Sequence, residues 1–157
     1  MTAQKTTPCI WIQHDAEAAI RFYTELIPNS KIVQLDSTEN PIGDRTVMAL
    51  FELGGVTYRA IGGAVDFALS PAFSISVDCV DQAEVDRYWD ALTEGGEPGR
   101  CGWLVDRWGL SWQIVPRQLQ PLLTDPNPAR ANAALQCMFG MSKLVIAELE
   151  AAANAAE

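Results

Sequence analysis

The chain states one supersecondary pattern twice. Asp15-Ala-Glu-Ala-Ala-Ile-Arg-Phe-Tyr-Thr-Glu-Leu26 recurs as Asp81-Gln-Ala-Glu-Val-Asp-Arg-Tyr-Trp-Asp-Ala-Leu92. Asp15 stands over Asp81, Arg21 over Arg87, Phe22-Tyr23 over Tyr88-Trp89, and Leu26 over Leu92. Further on, Gly55-Val-Thr-Tyr-Arg59 is answered by Gly109-Leu-Ser-Trp-Gln113. A duplicated unit constrains the fold more than any single motif, because each copy is one piece whose apolar face needs more chain to cover it. It also directs the search for a site to the space between the copies.

The first copy, residues 7–63, reads as β-α-β-β-β. Cys9-Ile-Trp-Ile12 is a short apolar strand, and Asp15 is placed to cap the helix that follows. Ala19, Ile20, Tyr23, Leu26 and Ile27 share one face of that helix, which Pro28-Asn-Ser30 ends. Lys31 to Leu35 is a strand, Asn40-Pro-Ile-Gly43 a loop, and Asp44-Arg45 a solvated charge pair. Thr46 to Leu53 carries apolar residues on both sides, which predicts cover on both faces. Gly54-Gly55 then turns the chain into Val56 to Ile61.

The second copy, residues 71–116, repeats the order. From Ala72 to Asp78, Phe73, Ile75 and Val77 alternate with Ser74 and Ser76. Asp81 with Glu84 is a capping-box variant, and Gly95-Gly96 stops the helix. Gly102 to Arg107 and Leu110 to Val115 predict a hairpin around Trp108-Gly109, with a short strand near Glu97-Pro98. Residues 117–157 leave the repeat. Leu119, Leu122 and Leu123 suggest a short helix, Ala129 to Phe139 a second, and Leu144 to Ala153 a third. Their apolar faces are expected to dock on the sheet or on a second subunit.

At 157 residues and 48% hydrophobic content the chain fits a single domain, residues 1–157, with a buried core. Its formal charge of −9 gives no counterion-release drive toward nucleic acid. No apolar run approaches the roughly 20 residues a membrane span needs. Cys9, Cys79, Cys101 and Cys137 are too far apart for a zinc ribbon or a disulfide framework. Free thiols and no apolar leader point to the cytoplasm. No strand leads through a Gly-x-Gly-x-Gly turn into a helix, so no adenosylmethionine site is expected, and no cofactor is assigned.

The paired units resemble the vicinal-oxygen-chelate superfamily, which includes glyoxalases, bleomycin-resistance proteins and dioxygenases. Ile10-Trp11-Ile12, Phe22-Tyr23, Pro28-Asn-Ser-Lys31, Val85 to Leu92, Cys101-Gly-Trp-Leu104 and Ser111-Trp-Gln-Ile-Val-Pro116 are similar to its PhnB-like branch. Members of that branch often carry the name 3-demethylubiquinone-9 3-methyltransferase domain. The resemblance implies an α+β fold of two β-α-β-β-β repeats. These would make an eight-stranded curved mixed sheet around a cavity, with C-terminal helices added, built into a homodimer. Leu135, Met138, Met141, Ile146 and Leu149 are the helical residues offered to a second copy.

Superfamily enzymes commonly hold a divalent metal on His and Glu side chains. The matching positions here are Gln113, its repeat counterpart Arg59, a site near Ala72, and one within Thr7-Pro8-Cys9. Ala cannot ligate, Gln is a weak neutral donor, and a guanidinium stays positive. No metal ligand and no catalytic residue is therefore assigned. The only histidine, His14, falls at a strand–helix turn.

The candidate ligand-binding residues are Arg59, Gln113, Ser74, Ser76, Trp11, Trp103 and Cys101. Arg59 can fork onto a carboxylate or phosphate, Gln113 can orient a carbonyl, and the two tryptophans can supply apolar wall. Each has a structural alternative. Arg59 can pair with an acidic neighbour, the tryptophans can be core, and Cys101 can be a small buried hydrophobe. Three functions remain open: a metal-independent small-molecule binding protein, a superfamily enzyme with divergent metal ligation, and a partner that uses the fold to dimerise. The expected partners are a second copy and an unidentified small molecule, with anions among the candidates, and neither nucleic acid nor membrane. The methyltransferase name is read as inherited naming.

Overall fold

Period-two strands and period-3.6 helices follow one another in the same order twice. The computed structural model describes residues 5–39 and 45–156. The first unit holds β1 (Cys9–Ile12), α1 (Ala16–Leu26), β2 (Lys31–Glu39), β3 (Arg45–Leu53) and β4 (Val56–Gly62). The second holds β5 (Ser74–Cys79), α2 (Gln82–Thr93), β6 (Glu97–Pro98), β7 (Trp103–Val105) and β8 (Ser111–Pro116). Three helices follow: α3 (Leu119–Leu123), α4 (Pro128–Gly140) and α5 (Ile146–Ala155). Each repeat closes a four-stranded mixed sheet, in the orders β1-β4-β3-β2 and β5-β8-β7-β6. In both, the first strand runs parallel to the last. The chain parts into two compact units, Met1–Leu69 and Ser70–Glu157, and the division falls between the repeats.

In the first unit α1 buries Ala16, Ala19, Ile20 and Tyr23. The strands contribute Ile10, Ile12, Ala49, Phe51 and Ala60 to the same core. Each large side chain so buried is worth about 1.5–3 kcal/mol relative to exposure. Because strand residues alternate, this commitment leaves the other face of the sheet to Cys9, Arg59, Leu50, Met48, Gln34 and Asp36. Met48 is 57% exposed, so β3 is covered on one face and not on both as its composition suggests.

Three further local expectations need correction. Asp15 makes no side-chain cap. Its backbone sits at φ 52°, away from the extended conformation that aims a capping carboxylate at the first turn, and only its carbonyl accepts, from Ala19 N–H at 3.0 Å. Its counterpart Asp81 is extended, and its carboxylate accepts from Glu84 N–H at 2.9 Å. Glu84 in turn accepts from Val80 N–H at 2.8 Å. The repeat sets Val56 over Leu110 and so predicts equal burial beneath a helix, but Val56 is 47% exposed at the hairpin end, whereas Leu110, Trp112 and Ile114 are fully buried. The hairpin strand expected from residue 102 to 107 is only Trp103–Val105, because Asp106 leaves it to build the turn. The loop at Asn40-Pro-Ile-Gly43 and Asp44 of the Asp44-Arg45 pair lie outside the described residues.

Pro98 sits on β6 at the sheet edge, where its missing N–H leaves no ladder bond unmade. The C-terminal helices dock within their own unit. Leu119, Met141, Leu144 and Leu149 form a core with Val115, Leu122, Leu123, Cys137, Met138 and Val145 around it. Met141 and Leu149 are thus consumed internally rather than offered to a second copy. Gln82 ties this extension to the repeat. Its amide donates to the Leu144 carbonyl (3.1 Å) and accepts from the Ile146 N–H (2.8 Å), capping α5 in place of the apolar Val145.

Cys79 is fully buried. Burial, then the carboxylates of Glu84, Asp78 and Asp81, push its thiol from 9.0 up to about 12. Between those values the unfolded chain has shed a proton that the folded chain keeps, so stability falls as pH rises above 9.0. Urea denaturation from pH 8 upward is expected to show this alkaline loss in the natural chain and a smaller one in Cys79→Ala. Thiol labelling of the native protein should reach the exposed Cys9 and spare Cys79 until unfolding.

Candidate functional site

The open face of the first sheet is ordered by its register. Cys9 pairs with Arg59, Arg59 with Leu50, and Leu50 with Gln34, giving one row across four strands. The adjacent row is Trp11, Ile61, Met48 and Asp36. A cavity of about 260 Å³ lies on this face, lined by Cys9, Gln34, Asp36, Met48, Leu50 and Arg59 among others.

Arg59 is an interior residue of a strand flanked on both sides, and its N–H donates to the Pro8 carbonyl at 2.8 Å. Its guanidinium is exposed and makes no ion pair or side-chain hydrogen bond among the described residues. The structural alternative, a pairing with an acidic neighbour, is therefore not met among the described residues. Among the described residues Asp36 is held by the Gln34 amide alone, which donates to it at 2.5 Å. Trp11, on the same face, does not line this cavity. Its indole N–H donates to the Gly63 carbonyl (3.1 Å) and its ring meets Phe67 edge-on at 5.4 Å, which secures the segment after β4.

In the second unit the register unites Ser76, Gln113 and Trp103 in one row, with Ser74, Ser111 and Val105 beside it. Gln113 donates its amide to the Ser74 hydroxyl at 2.9 Å, so two of the sequence-predicted polar residues hold each other. Ala72 precedes β5, and the residue opposite Gln113 on that strand is Ser76. Cys101 lies off this row, in a turn at φ 56°. Its N–H donates to the Met141 carbonyl at 2.9 Å, and that of Gly102 to Ser142 at 2.8 Å, anchoring the C-terminal extension.

Sequence reasoning missed two features. One is Asp106, only 4% exposed. Its carboxylate accepts from the N–H groups of Trp108 (2.9 Å) and Leu110 (3.1 Å) and from the Trp112 indole (2.8 Å). Asp106 followed by Gly109 is a turn signature that could have revealed it. The other is a cavity of about 500 Å³ at the start of α1, lined by His14, Asp15, Glu17, Arg21 and Arg45 among others. Within it Arg21 is already paired with Glu17 at 2.9 Å.

A divalent cation needs several anionic or imidazole donors converging on one point. Among the described residues no three His, Cys, Asp or Glu side chains gather in that way. The cavity on the first sheet offers one thiol and one carboxylate beside a guanidinium, and the second sheet's row offers hydroxyls and an amide. Those donors do not fit a divalent metal. An adenosylmethionine-type methyl donor fits no better. Gly54 and Gly55 close the β3–β4 hairpin and Gly62 ends β4, so no glycine-rich turn feeds a helix there.

Two β-α-β-β-β units, each with its first strand parallel to its last, define the glyoxalase-type fold of the vicinal-oxygen-chelate superfamily. Solved structures of low identity share it. Protein PA1353 from Pseudomonas aeruginosa is 17% identical, with a TM-score of 0.59, and the match covers 73% of this chain and 98% of that one. The fosfomycin resistance protein FosX from Listeria monocytogenes is 15% identical, with a TM-score of 0.55, over 79% of this chain and 99% of that one.

Residues 4–115 match the family described as 3-demethylubiquinone-9 3-methyltransferase. A PhnB protein from Bacillus cereus, provisionally assigned to that activity, is 33% identical, with a TM-score of 0.66, over 72% of this chain and 99% of that one. The chain belongs to this PhnB-like family. No curated protein matches it.

Proposed function

We propose that the chain is a metal-independent small-molecule binding protein that holds an oxyanion through Arg59. The observation that carries this reading is a guanidinium on a cavity wall with no ion-pair partner among the described residues. A strand-borne charge is most often solvated or paired. Here it stands between an apolar residue, Leu50, and a thiol, Cys9, on a face with room for a ligand. A guanidinium offers two parallel donors to a carboxylate or phosphate, and it repels a metal in the same place. The donor set counts against a superfamily enzyme of divergent metal ligation, and the glycine placement counts against methyl transfer.

Loss of a charged hydrogen bond costs about 1.5–3 kcal/mol. Arg59→Ala is therefore expected to weaken valerate or inorganic phosphate binding by about 10- to 100-fold, read by calorimetry or by the ligand-induced shift in melting temperature. Arg87→Ala, on α2, should keep the affinity of the natural chain. Equal losses in the two variants would count against the site.

We place this function in the cytoplasm, supported by four unbridged cysteines, and in a homodimer. No helix among the described residues is long and apolar enough to cross a membrane. Support for the dimer comes from Val33, Phe67, Phe73 and Phe139, all at least 40% exposed. Light scattering at micromolar concentration should give twice the chain mass; a monomer alone would remove the dimer from the proposal.

A further inference from the structure

Charge on the open face of the first sheet is separated, with a cation at one side and an anion at the other. Arg59 stands on β4 and Asp36 on β2, two strands over and one row along. Strands lie about 4.8 Å apart and rows on one face about 7 Å apart, so these two backbone positions are separated by about 12 Å. Neither side chain has an ion-pair partner among the described residues. Among the described residues the only hydrogen bond to the Asp36 carboxylate comes from the neutral Gln34 amide. Between the two charges the floor is apolar, made by Met48 and Leu50, and all four side chains line the same cavity.

A simple anion would satisfy Arg59 and be repelled by Asp36. It would also approach against the field of a chain with formal charge −9. A ligand with zero net charge and separated poles meets neither penalty. We propose that this face binds a bipolar small molecule of the ω-amino acid class. Its oxyanion lies on Arg59, its ammonium group on Asp36, and a short alkyl stem covers Met48 and Leu50. This rests on the Arg59 reading above and adds the second pole.

Matched probes test it: γ-aminobutyrate, δ-aminovalerate and ε-aminocaproate against butyrate, valerate and caproate. Calorimetry on the full chain is expected to show at least one amino acid binding about tenfold or more tighter than its desamino partner, the gap set by one charge-assisted contact. Asp36→Asn should abolish that gap by weakening the amino acid, while the desamino acid, relieved of the repulsion from Asp36, binds as tightly as before or more tightly. Arg59→Gln should weaken both members of the pair. If paired probes bind equally, with Arg59→Gln still weakening both, the bipolar proposal falls and the Arg59 reading stands. If binding is indifferent to Arg59→Gln, or no probe binds, both fall. Circular dichroism and melting temperature of both variants separate misfolding from lost contacts, since both positions are exposed on the sheet face.

Discussion

Asp106→Ala is expected to lower the unfolding free energy by about 3–4 kcal/mol, among the largest losses for any single substitution in this chain. The carboxylate accepts from two backbone N–H groups and one indole N–H. Leu110 and Trp112 are fully buried, so removing the acceptor strands donors that water cannot reach. The same contacts set the β7–β8 turn, where Gly109 N–H donates to the Asp106 carbonyl and Asp106 N–H to the Leu110 carbonyl, both at 2.9 Å. Asp106→Asn keeps the shape but can turn an amide N–H toward the indole N–H, so an intermediate loss is expected. A double-mutant cycle with Trp112→Phe should return a coupling of about 1–2 kcal/mol. Additive losses would show that the indole contact contributes little.

Gly102→Ala is the second large effect, expected to cost about 2–4 kcal/mol. Gly102 sits at φ 82°, and a Cβ built there would lie 2.7 Å from the Ile114 carbonyl oxygen and 3.0 Å from Leu144 Cδ1. The backbone cannot retreat easily. Its N–H donates to Ser142, and its carbonyl accepts from Ile114 N–H, both at 2.8 Å. Gly109→Ala serves as the control. Its φ of 86° is as unfavourable, but nothing lies within 4 Å of the added carbon. It should cost only the strain of a left-handed alanine, about 1–2 kcal/mol. Chemical denaturation of the two variants separates steric conflict from backbone strain; equal costs would mean that the contact with Ile114 and Leu144 relaxes freely.

The architecture was legible because duplication and periodicity speak through many residues at once. The helix stripes at Ile20–Tyr23 and Val85–Leu92 and the Asp81 cap needed no coordinates. The first-unit site was half legible. Arg59 could be named from the repeat, since Tyr58-Arg59 answers Trp112-Gln113. Its companions Gln34 and Asp36 could not. A bulge between Ile32 and Gln34 breaks the alternation of β2, and one slipped residue moves a strand's side chains to the opposite face. The strand also continues to Glu39, past the point where its apolar residues stop. The Asp15 cap failed for a different reason, because composition does not reveal a left-handed backbone at a residue other than glycine. Asp106 escaped notice because its partners, an indole and two amides, are fixed by the turn and not by any spacing of charged residues.

Central to this account is the proposal that the Arg59 guanidinium, on an open sheet face, meets a ligand's oxyanion. The most direct measurement watches that group itself: the Arg59 side-chain Nε–H resonance, assigned with Arg59→Lys, during titration with δ-aminovalerate. A saturable movement of that signal at the concentration where calorimetry reports binding is the expected result. A signal that stays still while the probe binds elsewhere would contradict the account.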